Sequence, residues 1–363
     1  MRIAEKLKKH PRLYFSYREA KILLLGIKHL RKEAIIRFAE EKPKMGSFAD
    51  YKRDLYKHRF SYDEYICYRF WNKSKKQREQ YISEREVRRI YRKTLHEEFE
   101  ACCYNKVKLY NTFNTFVNRK WIYSRAVTFD TFKDFVSTYD CIAKPQIGSH
   151  GRGVFAICKD EDLDWQKLFN NCVENNMIVE ERLKACHEIE EFHPQSLNTI
   201  RVLTISKGNR CELVAAELRV GTGNSVIDNV SAGGIFAPID LNTGVIIEDG
   251  ADRSGNTYKS HPDTGKVFKG FVIPNWEKLI SKCKAMSMAG LEITFAGWDI
   301  CVLPNGEIEM IEVNTFPNVV GLQIAYRSGL KPKIRTIGKE VLGYDPIKLI
   351  PFWKKPRVEY YEC

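Results

Sequence analysis

Several features that would assign the chain to other protein classes are missing from its 363 residues. The longest apolar run near the N-terminus, Ile22 to Leu25 followed by Ile27, is far shorter than the ~20 residues that cross a bilayer. Residues 1–14 are basic but lack the apolar stretch of a secretory signal. The 11 cysteines include no CxxC pair, which argues against a disulfide or zinc framework. We therefore expect reduced thiols, no membrane span and a cytoplasmic location.

Wholesale disorder is also excluded by composition. Hydrophobic residues make up 44% of the chain and charged residues 29%, the mixture usual for globular proteins. At roughly 150 residues per domain, this length predicts two or three domains with sizeable cores.

Positive charge is concentrated at the start of the chain. Residues 1–100 contain 27 Lys and Arg against 15 Asp and Glu, whereas the remaining 263 residues are nearly neutral. A basic segment ahead of a neutral body favours a polyanionic partner such as an acidic polymer or an anionic lipid surface, and peripheral association with the inner face of a membrane. A merely solvated helical surface is the alternative. The interleaved Tyr and Arg match no nucleic-acid-binding motif, so nucleic acid is not expected.

Secondary-structure signals change near residue 105. Capping-box spacing at Ser16, Ser61 and Ser83 predicts a basic helical array, with a break at 43–47. Short β-branched segments follow, with helices near 130–138, 162–174 and 275–289, so the body is predicted to be α+β. We place domain boundaries at 1–104 (helical module), 105–185 (first lobe), 186–345 (second lobe) and 346–363 (tail).

Two hairpins have turns that predict their pairing. Gly208-Asn209 suits a two-residue turn, which would place Asn198 opposite Arg219. A tip at Asn305-Gly306 would place Asp299 opposite Glu312. The same register pairs Cys301 with Met310 and Leu303 with Ile308.

Asp299 and Glu312 are therefore predicted to be cross-strand neighbours in an apolar hairpin. Like charges about 5 Å apart repel, so a hard divalent cation would stabilise them, and Asn314 on the same face adds an oxygen ligand. The sequence thus predicts a Mg²⁺ site. A carboxyl pair that shares one proton or splays towards solvent is the alternative.

A magnesium site with few protein ligands usually also holds nucleotide phosphates. Residues 140–145 predict a strand, Gln146 to Gly153 a glycine-rich loop, and 154–158 a returning strand. A P-loop or a dinucleotide fold would begin a helix at this point, so both are disfavoured. Backbone N–H groups of such a loop can approach phosphate oxygens, and Lys144 can reach the same anion.

In this order, these motifs resemble those of the ATP-grasp superfamily, and within it the sugar-transfer-associated branch. The matching stretches are Asn105-Lys106, Lys144-Pro145 with the glycine-rich loop, residues 180–183, residues 196–201, and the Asp299, Glu312 and Asn314 set. The resemblance covers residues from about 100 to 343. It implies two α+β lobes that grip ATP, here preceded by the basic helices.

The resemblance also implies roles for individual residues. Lys106 and Lys144 would bind phosphate, Glu181 and Leu183 would bond adenine through their backbones beside Glu180, and His187 or Glu188 would lie near the ribose. Arg201 and Arg219 would face the triphosphate or the acyl group, Asn198 belongs to the branch's strand motif, and Asp299, Glu312 and Asn314 would hold magnesium. The residues assigned to the phosphate flap are Gly148, Ser149, His150, Gly151 and Gly153.

The activity implied by this resemblance is ATP-dependent ligation of a carboxylate to an amine through an acyl phosphate. A uronic acid or amino-acid group of bacterial surface polysaccharide is the expected acceptor. A kinase that stops at phosphorylation, or a non-catalytic protein that docks on polyanions or membranes, are the alternatives.

Overall fold

A computed structural model describes residues 50–51, 53–54, 60–94, 96–148, 152–160, 163–223, 233–289 and 291–348. Its helices are α1 Tyr62–Cys67, α2 Lys75–Glu79, α3 Glu84–Thr94, α4 Glu97–Tyr104, α5 Lys106–Thr112, α6 Phe129–Thr138, α7 Trp165–Glu174, α8 His187–Glu190, α9 Trp276–Ser287, α10 Val320–Ala325 and α11 Lys331–Leu342. Its strands are β1 Trp121–Tyr123, β2 Cys141–Pro145, β3 Phe155–Ile157, β4 Met177–Glu181, β5 Thr199–Lys207, β6 Arg210–Val220, β7 Ile235–Ile239, β8 Gly250–Ala251, β9 Thr257–Tyr258, β10 Phe295–Val302 and β11 Ile308–Asn314.

Capping boxes begin two of the N-terminal helices, as predicted. The Ser61 hydroxyl accepts the Glu64 N–H at 3.2 Å, and the Glu64 carboxylate accepts the Ser61 N–H at 2.8 Å. Ser83 and Glu86 make the same exchange before α3, at 3.3 and 3.1 Å. The helix predicted after Ser16 and the break at 43–47 lie outside the described residues.

The smaller sheet has the strand order β1-β4-β2-β3. Helices α6 and α7 pack on it through a core that includes Phe132, Val136 and Cys172. Strands β2 and β3 pair antiparallel, with Cys141 opposite Ile157, which confirms the predicted arrangement of strand, loop and strand.

The larger sheet has the order β11-β10-β5-β6-β7-β8-β9 and two covered faces. Leu203 and Phe295 share a core with α3, α10 and α11, whereas Trp298 shares the core that includes α9. Side chains alternate along a strand, so Arg201 and Asp299 lie on the same face as Leu203 and Phe295. The charged side chains thus begin where the apolar packing of α10 and α11 ends.

The first hairpin turns where the sequence predicts but its register shifts midway. Lys207 pairs with Arg210 around the turn, and Gly208 has a φ of +60°. A β-bulge then leaves an extra residue on β6, so that Thr199 lies opposite Arg219. The predicted pairing of Asn198 with Arg219 is therefore wrong. The shift places Arg201 opposite Glu217, on the same face of the sheet.

The second hairpin pairs Asp299 with Glu312 as predicted, but through two irregularities. The Gly306 N–H donates to the Leu303 carbonyl at 2.9 Å, and Gly306 has a φ of +76°. The turn therefore has Pro304 at its second position, where the fixed φ of proline fits, followed by a left-handed glycine. The predicted two-residue tip is wrong.

Strand β11 corrects this offset with a bulge of its own. Met310 pairs with Ile300 and Glu312 with Asp299, so Ile311 is an extra residue between them. The predicted pairs Cys301 with Met310 and Leu303 with Ile308 are wrong, because Cys301 faces Glu309 and Ile308 faces Val302.

The N-terminal helices are anchored on the larger sheet by a buried amide. The Gln323 side chain accepts the N–H groups of Ile82 and Leu330 at 2.9 and 3.1 Å and donates to the Ile82 carbonyl at 3.0 Å and the Tyr68 hydroxyl at 2.7 Å. At Gly329 a Cβ would lie 2.1 Å from the backbone of Gln80, so the two chains touch directly.

These contacts join residues 60–94 to the second predicted lobe, and the domain boundaries given above stay predictions. Cysteines in the described residues are free thiols. Within the same residues, no helix combines the length and the apolar character needed to cross a bilayer.

We expect Gln323→Leu to lower the free energy of unfolding by about 3 kcal/mol, because it strands several buried backbone and hydroxyl groups. Urea unfolding measures this loss. Gln166→Leu on the exposed face of α7 is the matched control and should change stability by less than about 0.5 kcal/mol. Equal losses in both variants would contradict the anchoring role.

Candidate active site

A row of charged residues crosses four strands of the larger sheet. Successive cross-strand neighbours along β11, β10, β5 and β6 are Glu312, Asp299, Arg201 and Glu217. Arg219 lies two residues beyond Glu217 on the same face. The two bulges described above are what bring these side chains into one row.

Two arginines hold Asp299, which is only 9% exposed. Arg201 donates to it with Nε and, at 2.6 Å, with Nη2, while Nη1 of Arg219 lies 3.4 Å from Oδ1. Burial by itself would raise the pKa of Asp299, but the two guanidinium groups lower it. The carboxylate is therefore ionised and fully compensated.

Glu312 and Asn314 complete the predicted magnesium set. The Asn314 amide donates to Asp299 Oδ2 at 3.5 Å, which leaves its carbonyl oxygen available. Burial and the Asp299 charge raise the pKa of Glu312, whereas Arg201, Lys144 and Lys106 act in the opposite direction. The two lysines of the first lobe thus lie within electrostatic reach of the hairpin carboxylate.

Lys144 is held by a buried cluster around Glu180. Its ammonium forms an ion pair with the carboxylate, which also accepts the Tyr110 hydroxyl at 2.7 Å and Arg119 Nε at 3.0 Å. Burial alone would raise the pKa of Glu180, but Arg119 and Lys144 lower it to about 2. Lys144 is therefore fixed in place, with its charge retained.

Arg119 also links the two sheets. Its Nη1 donates to Glu309 of β11 at 2.6 Å and to the Met310 carbonyl at 2.7 Å, while Nε binds Glu180 of β4. Sequence reasoning missed Arg119, Tyr110, Glu217 and Glu309. Their partners lie far away in the chain, so no local motif marks them.

Lys106 and the glycine-rich loop adjoin each other. Asn105 caps α5 by accepting the Lys108 N–H at 3.1 Å, and Lys106 Nζ donates to the carbonyls of Pro145 and Gly148 at 3.1 and 3.0 Å. Burial and the Lys144 charge lower the pKa of Lys106. Gly153 has a φ of +73°. Of the other predicted flap residues, Ser149, His150 and Gly151 lie outside the described residues.

The segment predicted to hold adenine follows β4. The Glu181 N–H donates to the Lys120 carbonyl at 2.9 Å and the Arg182 N–H to the Asp140 carbonyl at 2.7 Å. Leu183 lies beyond the end of the strand. Glu181 can therefore offer its carbonyl, but its N–H is already used.

Two other predicted residues stand apart from this cluster. His187 begins α8 with its side chain 83% exposed, and Glu188 follows it in the same helix. Asn198 is fully buried, and both N–H groups of its amide donate to backbone carbonyls, of Ile189 at 3.0 Å and His193 at 3.1 Å. That geometry gives Asn198 a structural contact in place of a donor for nucleotide.

The donor chemistry of the hairpin fits a hard divalent cation. Asp299, Glu312 and Asn314 offer carboxylate and amide oxygens, which Mg²⁺ prefers. No cluster of three His, Cys, Asp or Glu occurs in the residues that the structure describes, so the amide is a necessary part of the set. Asp299 already binds Arg201, so a cation would have to share it or displace that arginine.

The family comparison agrees with this geometry. A family model described as sugar-transfer associated ATP-grasp matches residues 74–339. The chain belongs to this family. It has the ATP-grasp fold, with the two sheets and their helices as described.

Solved structures similar to the chain include ATP-grasp ligases at low identity. An ATP-grasp ligase, PsnB, in complex with a minimal precursor is 15% identical over 62% of this chain and 55% of its own, with a TM-score of 0.37. N5-carboxyaminoimidazole ribonucleotide synthetase in complex with ADP is 11% identical over 64% and 53%, at 0.41.

D-alanyl-alanine synthetase A from Vibrio cholerae is 11% identical over 63% of this chain and 60% of its own, with a TM-score of 0.38. The matches thus span little more than half the length of these proteins. A comparison with curated proteins gives no match.

We expect the stability difference between the wild type and Glu180→Gln to depend on pH. The pKa of this carboxyl is about 2 in the folded chain and about 4.3 unfolded, so its contribution is complete above the unfolded value and disappears as pH falls through the folded one. In urea unfolding, the difference should narrow by about 3 kcal/mol between about pH 6 and pH 2.

The Arg119→Gln background provides the control for this titration. Without its guanidinium, the lowering of the Glu180 pKa is weaker, so the narrowing should shrink. A difference that stays constant over the whole pH range would contradict the assigned ion pairs.

Proposed function

We propose that the protein is an ATP-dependent ligase that joins a carboxylate to an amine through an acyl phosphate. The observation that carries this proposal is that hard oxygen donors on one sheet face two lysines from the other, with two buried arginines beside them. Phosphoryl transfer needs charge neutralisation and positioning more than covalent help, and this set of residues supplies both.

The proposed nucleotide site lies between the two sheets. Lys144 and Lys106 would neutralise phosphate oxygens beside the Gly148 to Gly153 loop. The Glu181 carbonyl and the Leu183 N–H would bond adenine, and His187 or Glu188 would lie near the ribose. Asp299, Glu312 and Asn314 would hold Mg²⁺, which shields phosphate charge when bound.

The two arginines are the proposed stabilisers of the reacting group. Arg201 and Arg219 lie beside Asp299 and would neutralise the charge that develops as the γ-phosphoryl group passes to the acceptor carboxylate. An acyl phosphate hydrolyses in water, so closure of the glycine-rich loop would protect it until the amine attacks.

Bacterial surface polysaccharide is the proposed setting, with a uronic acid or amino-acid group as acceptor. The family's description as sugar-transfer associated supports this choice. Basic residues also reach the site: the Arg88 guanidinium of α3 lies 5.0 Å from the centre of the Phe316 ring, and Phe316 follows Asn314 closely in the chain. The chain would work in the cytoplasm, at the inner face of the membrane.

We expect Asp299→Asn and Glu312→Gln each to abolish ATP turnover, because each removes a carboxylate from the proposed metal set. ADP release with Mg²⁺ present measures turnover, and circular dichroism checks the fold. Glu307→Gln, at the exposed end of the same hairpin, is the control and should keep wild-type turnover. Wild-type turnover in either of the first two variants would refute the proposed metal set.

The same assay separates the reaction classes. A ligase releases ADP only when both a carboxylate and an amine are supplied, whereas a kinase needs the acceptor alone. A non-catalytic docking protein would release none under any condition.

We expect the full chain to bind an anionic polymer with an affinity that falls steeply as salt rises, because Lys and Arg in residues 1–100 would release condensed counterions. Titration with acidic polysaccharide, anionic vesicles and duplex DNA at two salt concentrations tests this, with polysaccharide or vesicles favoured over DNA. ADP affinity should change far less. No binding to any of the three at low salt would mean that the charge is only a surface property.

A further inference from the structure

Glu217 is a fully buried carboxylate to which the proposed chemistry assigns no role. Its Oε1 accepts Arg219 Nε at 2.8 Å, while its Oε2 has no hydrogen-bond partner among the residues that the structure describes. A buried, unpartnered oxygen of a charged group is costly, and its presence calls for an explanation. The neighbouring helix leaves space for it, since a Cβ at Gly321 would lie 3.1 Å from Oε1 and 3.3 Å from Oε2.

Arg201 lies between two carboxylates. Asp299 is its cross-strand neighbour on β10 and Glu217 is its neighbour on β5's other side, β6. In this structure the guanidinium binds Asp299 through two nitrogens and leaves Glu217 Oε2 without a donor. A small rotation of the side chain would exchange one carboxylate for the other.

A divalent cation at Asp299 would change this balance. The cation would compete for the carboxylate oxygens and repel the guanidinium beside them, since like charges a few ångströms apart interact strongly in a buried site. Arg219 is already held by Glu217 Oε1, so the vacant position nearest to Arg201 is Glu217 Oε2.

We propose that Glu217 is a positioning residue that receives the Arg201 guanidinium when a divalent cation binds Asp299. This inference rests on the proposed function, because it takes Asp299 as a metal ligand. Glu217 would keep both arginines paired and in the site while the metal set becomes available. Metal binding and the position of Arg201 are then coupled.

A double-mutant cycle of Arg201→Gln and Glu217→Gln tests the exchange. The readout is the affinity for Mn²⁺ in the presence of saturating ADP, from the electron paramagnetic resonance signal of free Mn²⁺, and thermal melts check each fold. With Arg201 present, Glu217→Gln should weaken Mn²⁺ binding by roughly tenfold, because Arg201 stays on Asp299. With Arg201→Gln, the same change should have little effect.

A simple electrostatic role predicts a different pattern. Loss of one negative charge would then weaken binding by the same factor in both backgrounds, which would overturn the proposal. Glu217→Asp provides a second measurement that leaves Arg201 intact: it keeps the charge but shortens the reach, so Mn²⁺ binding should weaken as it does in Glu217→Gln. Wild-type affinity in Glu217→Asp would also overturn it.

Asp299→Asn separates this inference from the proposed function. If Asp299→Asn binds Mn²⁺ like the wild type, the metal site itself is wrong and the inference fails with it. If Asp299→Asn loses Mn²⁺ but Arg201 and Glu217 show no coupling, only the exchange is wrong.

Discussion

The buried carboxylate of Asp299 is the constraint on which the site depends. Removing an ionised carboxylate from water costs several kcal/mol unless charge and hydrogen bonds compensate it, and Arg201 and Arg219 supply both. Gly297 leaves room for this pairing, since a Cβ there would lie 3.1 Å from Arg201 Nη1. Glu217 in turn compensates Arg219. One buried charge thus accounts for the residues on three strands.

Alternation along the strands explains why this cluster lies at one end of the sheet. Leu203 and Phe295 are covered by α10 and α11, and two or four residues further along the same face the side chains become Arg201 and Asp299. The apolar cover ends there, so the face is open for charge. The same end faces Lys144 and Lys106 of the smaller sheet.

Local chemistry made the strands, turns and helix starts predictable, and the family motifs made the general site predictable. The pairing of Asp299 with Glu312 was predicted correctly although Pro304 moves the turn, because the bulge at Ile311 offsets that shift. The bulge in β6 has no such signal, since apolar residues lie on both faces around it, and it decides that Glu217 joins the site. Arg119 and Gln323 depend on partners remote in sequence, which periodicity and spacing do not reveal.

Arg119 determines how the two halves of the site meet. It binds Glu180 of the smaller sheet and Glu309 of the larger one, and all three side chains are buried. Breaking a buried ion pair costs about 3–5 kcal/mol, because the remaining charge is left uncompensated. Separation of the sheets at this contact is therefore costly. A change in the width of the cleft costs less at the loop between β2 and β3, where Lys106 contributes two hydrogen bonds to backbone carbonyls.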